Sequence, residues 1–316
     1  MAHPKKVGLV VGREWSMPPA LMKEINERDQ GVTCDIPKIG APTGAPPLDG
    51  VIGYDVVVDR ISHEVPMYRS WLKHAVLKGV RVVNNPFMWS ADDKFFGATL
   101  AESIGVRSPK TVLLPNRAYV PGIKHDESLR NLVFPLDWKA VVEHVGMPCI
   151  LKDAHGGGWK EVYVCRTLED LIHNYNTSGL LTMIAQEFIE WDEFVRCMCI
   201  GQQEILPIQY DPKARKYNVT DTFLSPALRE RIIGDARKLN QAVGYDMNSM
   251  EFAVKDGVPY AIDFMNCAPD MDLYSLTPTY FAWTMSAMAD MLIAQAQGAR
   301  GPAPTGWRAL LAGRPA

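Results

Sequence analysis

The chain has 316 residues, of which 47% are hydrophobic and 22% charged, with a formal net charge of -3. This composition excludes a largely disordered chain and offers no basic footprint for nucleic acid or an anionic membrane. The length fits two or three compact α/β units, so any anionic ligand has to be held by local groups. The apolar run Val7-Gly8-Leu9-Val10-Val11 is too short for a signal-peptide core and is followed by Arg13 and Glu14. The apolar stretch 281–296 contains Asp290 and falls short of a membrane span. Six scattered cysteines (Cys34, Cys149, Cys165, Cys197, Cys199, Cys267) form no CxxC pair, which argues against zinc and for a reducing cytoplasm. Cys197 and Cys199, two apart in an apparent strand, are expected to be buried on one face.

In chain order, residues 7–11 read as a buried strand, 18–28 as a helix started by Ser16 and two prolines, 55–59 as a strand, 67–78 as a helix and 80–83 as a strand. This alternation predicts a parallel sheet with right-handed crossovers, ending near residue 86. Ser90-Ala91-Asp92-Asp93 predicts a helix capped by Ser90 that runs to Ile104 and stops at Gly105. A strand at 111–114, a long loop at 115–137, a helix at 138–145 and a strand at 149–152 follow. That strand enters the turn His155-Gly156-Gly157-Gly158, and 162–165 returns as a strand. Thr167 caps a helix over 168–175. Strands at 183–186 and 194–200 flank residues 188–193, followed by a strand at 205–209 and a helix over 226–243 closed by Gly244. Residues 250–254 and 260–264 predict a hairpin over Lys255-Asp256-Gly257. A helix covers 280–297, and the tail beyond Gly298 is expected to fray.

Three local features carry chemistry. Lys152 lies in an apolar strand, where its ammonium must be paired, solvated or discharged. Just before three glycines, it points to backbone N–H groups that can approach a phosphate, although the Walker pattern GxxxxGK[ST] is absent. Taken alone, a hairpin with a snorkelling lysine explains it equally well. Lys94 near a helix start opposes the macrodipole by about 0.3–1 kcal/mol unless an anion sits there, a cost that many surface lysines bear. In the hairpin, a three-residue loop at 255–257 brings Glu251 and Asp263 onto one face, which favours a cation between them. A two-residue Asp256-Gly257 turn would set them on opposite faces. Hard oxygen donors of this kind suit magnesium bridging phosphates, with Asn266 adding a neutral oxygen; a solvated acidic edge is the plainer alternative.

The order of these features along the chain is more specific than any of them singly. Asp92-Asp93-Lys94, Ser108-Pro109-Lys110-Thr111, Ile150-Leu151-Lys152 with His155-Gly156-Gly157-Gly158-Trp159, and Gln186-Glu187-Phe188-Ile189-Glu190-Trp191-Asp192-Glu193 follow one another. Glu251 then leads through Lys255-Asp256-Gly257 to Asp263 and Asn266. Together they resemble the ATP-grasp superfamily, which includes D-alanine–D-alanine ligase and related peptide-forming ligases. The resemblance covers about residues 86–295. It implies an α/β chain with an ATP-grasp fold, two α+β subdomains gripping ATP, preceded by a small parallel α/β pre-ATP-grasp domain. The boundaries expected are 1–86 for that domain, 87–185 for the central subdomain with a glycine-rich lid, 186–300 for the C-terminal subdomain with the metal hairpin, and 301–316 for the tail.

The resemblance also implies an activity: an ADP-forming ligase that uses ATP and Mg2+ to join a carboxylate to an amine through an acyl phosphate, on amino-acid or peptide-like small molecules. Carried over by position, Lys94 and Lys152 contact the ATP phosphates, and His155, Gly156, Gly157, Gly158 and Trp159 form the nucleotide loop, with 156–158 as a lid. Glu187, Phe188 and Ile189 line the adenine edge, Glu187 and Ile189 through backbone groups, and Glu193 holds the ribose hydroxyls. Glu251, Asp263 and Asn266 hold one or two magnesium ions. All of these groups have to converge on one triphosphate.

Three departures stand out. Asp263 is shorter than the usual Glu. Phe264 and Met265 separate it from Asn266 where the family usually has one residue, so a bulge or bend is required and Asp270 or Asp272 are substitutes. Ser249 replaces an arginine often found two positions before the first acidic ligand, which leaves Arg196, Lys213 or Arg215 to steady the transferring phosphoryl group; Arg196, with Lys152, is the favoured catalytic pair. Arg60 or His63, after the strand at 55–59, could hold a substrate carboxylate, although an ion pair with Asp59 or Glu64 is the more ordinary expectation. A kinase on the same scaffold, or a nucleotide-binding interaction subunit with impaired catalysis, are the alternatives. A dinucleotide-binding start at Gly8-Leu9-Val10-Val11-Gly12 lacks the three-glycine spacing. The expected partners are small-molecule carboxylates and amines, with no nucleic acid and no membrane, and a homo-oligomer is left open.

Overall fold

A computed structural model describes residues 4–39, 53–91, 93–220 and 222–299; the tail at 301–316 and Asp92 of the expected helix start lie outside them. The chain begins β1 (Lys5–Val10), α1 (Met17–Glu27), β2 (Val32–Asp35), β3 (Val56–Asp59), α2 (Pro66–Leu77), β4 (Arg81–Val83). It continues through α3 (Lys94–Ser103), β5 (Thr111–Leu113), α4 (His125–Ser128), α5 (Trp138–Val145), β6 (Cys149–Asp153), β7 (Val162–Cys165), α6 (Leu168–Thr177) and β8 (Met183–Glu187). It ends with β9 (Glu193–Ile200), β10 (Glu204–Asp211), β11 (Lys216–Asn218), α7 (Pro226–Val243), β12 (Met247–Lys255), β13 (Val258–Asp263) and α8 (Leu273–Ala296). These divide into two compact units, Met1–Ser90 with Phe194–Glu251 and Phe264–Ala316, and Ala91–Glu193 with Phe252–Asp263.

The first unit opens with a parallel sheet in the order β2-β1-β3-β4. All four residues of β3 are buried, as a strand covered on both faces requires. The strand β2 was not expected, since it buries only Val32 and Cys34 in a four-residue alternation too short to stand out. Leu9, Leu21 and Val56 share a core with Met198, Ile208 and Met247 and with Met288 and Leu292 of α8. The last helical segment starts at Leu273, earlier than expected. Thr277 at φ 65° breaks it in two, and Pro278 opens the second piece, where no N–H is needed. The helix α7 follows expectation: Ser225 caps it and Gly244, at φ 77°, closes it in the left-handed conformation. Cys197 and Cys199 are buried, opposite Pro207 and Ile205.

The second unit holds an antiparallel sheet in the order β5-β8-β6-β7. Its core gathers Leu114, Val141, Cys149, Leu151, Leu171 and Met183. Thr167 forms a capping box with Asp170. Two expectations are corrected here. Residues Pro86–Ala91 make a 3-10 turn, and Asp93 rather than Ser90 caps α3, its carboxylate accepting from the Phe96 N–H at 2.6 Å. This makes Lys94 the first helical residue.

The second correction concerns the hairpin. Its turn is Asp256-Gly257 alone, with both residues at positive φ (51° and 70°), so Lys255 and Val258 flank it as in a two-residue primed turn. The aspartate–glycine pair supplies the left-handed backbone that a three-residue loop would not need. Asp263 is the last residue of β13, where regular pairing stops. Among the described residues, no helix is long and apolar enough to cross a membrane.

Candidate active site

In the second unit, two lysines meet at the end of β13. Lys152 lies on β6 with only 7% of its surface exposed, and its Nζ donates to the Ile262 carbonyl at 3.1 Å. An ammonium so buried needs polar contacts of this kind. Lys94 is aimed at the same place: its Nζ donates to the Gly156 carbonyl at 2.5 Å and lies 3.7 Å from Asp263 Oδ2. Its backbone N–H donates to the Ala154 carbonyl at 2.9 Å, which ties the start of α3 to the strand that leads into the glycines.

The glycine loop is exposed and built around Asp153. The carboxylate of Asp153 accepts from the His155 N–H at 3.1 Å, and its carbonyl from the Gly156 N–H at 3.3 Å. A Cβ at position 156 would lie 3.0 Å from Asp153 Cβ, so glycine is needed for this close approach. Gly158 at φ 67° continues into Trp159 at φ 63°, a left-handed pair that turns the chain back toward β7. His155 and Trp159 are both exposed. The loop therefore presents its backbone to the Lys94 ammonium.

Glu187 ends β8, with its N–H already donating to the Lys110 carbonyl at 2.8 Å and its Oε2 accepting from the Lys110 N–H at 3.1 Å. Ile189 is buried, and Phe188 packs near Trp191 with ring centroids 6.1 Å apart. Asp192, one residue before Glu193, accepts from the Asp256 N–H at 2.7 Å and so braces the hairpin turn.

In the first unit, Glu251 is held by Arg196, which donates to Oε1 from Nε at 3.1 Å and from a second guanidinium nitrogen. The guanidinium stacks 4.2 Å from the Tyr210 ring and donates to the Tyr217 hydroxyl at 3.3 Å. Burial works against its charge, but Glu251 and the two tyrosine hydroxyls outweigh burial and raise its pKa above the ordinary value. Arg196 is thus fixed and permanently cationic beside a candidate metal ligand. Lys213 and Arg215 lie in the exposed turn between β10 and β11.

Asn266 donates from Nδ2 to Ser249 Oγ at 3.0 Å, and its Oδ1 accepts from the Ala268 N–H at 3.3 Å. An amide clamp holds the stretch between Asp263 and Asn266. Asn248, fully buried, donates to the Phe264 carbonyl at 2.9 Å and accepts from the Asn266 N–H at 2.9 Å. Polar residues at 248 and 249 beside Met247 and Met250 were the sequence signal for this clamp, and it went unread.

Other candidates are structural. Arg60 is buried and bound to both carboxylate oxygens of Glu14, not to Asp59 or Glu64, and also to the Pro269 carbonyl. His63 lies 3.7 Å from Glu64, with burial lowering its pKa. Asp272 accepts from the N–H groups of Trp15, Ser16 and Met17 and from the Ser16 hydroxyl, which caps α1 from outside. Asp270 binds the Ser275 hydroxyl and the Asp272 N–H. The oxygens of both aspartates are directed at the ends of helices.

Among the described residues, no group of three or more His, Cys, Asp or Glu gathers as a metal site. Glu251, Asp263 and Asn266 each offer an oxygen donor, the type that suits a hard cation.

No family model matches the sequence. D-alanine–D-alanine ligase from Bacillus anthracis, also solved with ATP, superposes with a TM-score of 0.63 over 93% of this chain and 97% of that one, at 18% identity. The ATP-grasp ligase PsnB, solved with a minimal precursor, Mg and ADP, superposes with a TM-score of 0.60 over 92% of this chain and 98% of that one, at 14% identity. The chain has the ATP-grasp fold. In sequence, the ATP-grasp chain is 29% identical over 163 residues to D-alanine–D-alanine ligase from Polynucleobacter asymbioticus, a match covering 45% of this chain and 48% of the relative. It thus spans about half the length of that curated relative.

Proposed function

We propose that this ATP-grasp chain is an ATP-dependent, ADP-forming carboxylate–amine ligase that acts through an acyl phosphate on amino-acid or peptide-like small molecules. The observation that carries this reading is the meeting of Lys94, Lys152 and the glycine loop at Asp263 within one compact unit. Two ammonium groups and a glycine-rich loop next to a carboxylate suit a metal-bound triphosphate.

The substrate carboxylate attacks the γ-phosphate in line, forming a C–O–P linkage as the bond to ADP breaks. The amine then adds to the acyl carbon and phosphate leaves. Lys94 and Lys152 offset charge on the phosphates, and the 156–158 loop covers them and excludes water from the acyl phosphate. Arg196, locked by Glu251 and Tyr217, steadies the transferring group where the family arginine is replaced by Ser249. Magnesium, when bound, would neutralise phosphate oxygens, and Glu251, Asp263 and Asn266 are the oxygen donors that the resemblance assigns to it.

The test is ADP release by purified protein with magnesium, ATP and pairs of amino acids. Release that requires both a carboxylate and an amine supports ligation. A stable phosphoester product identifies a kinase, and ATP binding without turnover on any pair would point to a nucleotide-binding subunit.

A further inference from the structure

The first unit contains a cavity of about 380 Å³, within the range of small-molecule sites, and all of its described lining residues belong to that unit. It lies where β9 ends at Ile200 and just before β12 begins, at Asp246. Glu251 is five residues further along the chain, about 17 Å at the rise of an extended strand. One wall is apolar: Ile200 joins Trp283, Ala287, Met291 and Ala294, which recur at helical spacing on one face of α8. The polar lining is acidic, with Glu204, Asp246 and Asp290 against one described cation, Arg81. That cation is committed, since its guanidinium donates to Asp246 Oδ2 at 3.0 Å and to the Ala299 carbonyl at 3.1 Å. Asp246, only 8% exposed, also accepts from Gln202 Nε2 at 3.1 Å and from Gln295 Nε2 at 3.2 Å. A carboxylate only accepts, so it holds both amides by their nitrogens. Neither Oε1 has a partner among the described residues, and Gln295 is itself part of the lining. The described lining is therefore rich in acceptors and short of donors.

We infer that this cavity binds a compact organic cation, an alkylamine or alkylguanidine, with its charged end toward the carboxylates and its chain along the α8 wall. Burial of the chain against Trp283 and Met291 supplies affinity, and a cation close to an indole face is attracted to the ring. The acidic lining repels a carboxylate, so a zwitterionic amino acid is a poorer ligand than the amine that lacks its carboxyl group. A bare metal ion would leave the apolar wall unused. This site is distinct from the nucleotide and metal ligands described above, and the inference does not rest on the ligase reading.

Methyl-labelled methionine, followed by NMR in the full chain at low salt, reports the cavity through Met291, whose resonance is assigned with Met291→Leu. Isopentylamine should shift that resonance saturably at millimolar concentrations. Isopentanol, its uncharged analogue, and leucine, which restores the carboxylate, should each need several-fold higher concentrations. Ala294→Leu fills the cavity from an exposed helix position and should abolish the shift. Glu204→Gln, on an exposed side chain, should weaken amine binding about two- to fivefold, the usual effect of removing an exposed ion pair. No saturable shift of Met291, an equal response to the alcohol, or an amine response unchanged by both substitutions overturns the site.

Discussion

Lys152 donates from Nζ to the Ile262 carbonyl at 3.1 Å, which fixes a buried ammonium against the residue that precedes Asp263. Replacing Lys152 with Ala should reduce kcat/KM for ATP by about 10²–10³-fold, the usual cost of losing one preorganised electrostatic donor. Circular dichroism should show the fold retained. Wild-type turnover in the variant would remove Lys152 from the site.

Lys94 restrains the glycine loop through the Gly156 carbonyl at 2.5 Å. The loop is otherwise exposed and held mainly by Asp153, so Lys94→Ala should open it. Limited trypsin digestion is expected to cut after Lys160 several-fold faster in the variant than in the wild type. Equal cleavage rates would mean that Asp153 alone orders the loop.

Asp272 and Ser16 cap each other's helices: Asp272 accepts from the start of α1, and Ser16 Oγ accepts from the Leu273 N–H at 2.8 Å. Partial burial alone would raise the Asp272 pKa, but the Ser16 hydroxyl and the N–H groups of Trp15, Met17 and Ser16 outweigh it and hold the carboxyl below its ordinary 3.8. A depressed pKa gives stability that is present above the ordinary value and lost as pH falls through the native one. Asp272→Asn should therefore be about 1–2 kcal/mol less stable at neutral pH, with the gap closing below pH 3.8 in denaturant titrations. A gap that persists in acid would assign the effect to shape rather than charge.

Arg196 and Glu251 form the most enclosed pair near the candidate metal ligands, with side chains 20% and 12% exposed. Glu251→Gln weakens a charged hydrogen bond and should cost about 1.5–3 kcal/mol in thermal unfolding without metal. It should also raise the magnesium concentration needed for half-maximal ADP formation. Arg196→Lys keeps charge but loses the planar stack on Tyr210, so kcat should fall while KM for ATP holds. A change in KM alone would recast Arg196 as a nucleotide-binding group.

The regular elements were legible where a local rule sufficed. The Ser225 cap, Pro226 and Gly244 bracket α7 with no reference to the rest of the chain. So did the apolar run of β1 and the Thr167 capping box. What stayed hidden depends on partners distant in sequence. Nothing near Asp272 reveals that residues 15–17 need an acceptor, and nothing near Arg60 reveals Glu14. The strands β2 and β11 are too short for alternation to stand above chance. The hairpin was misread because Lys255 was counted into the loop, although Asp256-Gly257 alone supplies both left-handed residues of a two-residue turn. The candidate site was legible as an ordered set of residues, and its Asn248–Ser249 clamp was not.

The most direct measurement of the acyl-phosphate step follows oxygen. An amino-acid substrate labelled with oxygen-18 in its carboxylate is supplied with a second amine, magnesium and ATP, and the released phosphate is examined by mass spectrometry. Ligation through an acyl phosphate places one labelled oxygen in the phosphate for each bond made. Product formed with unlabelled phosphate, or label retained in a stable phosphorylated substrate, would contradict it.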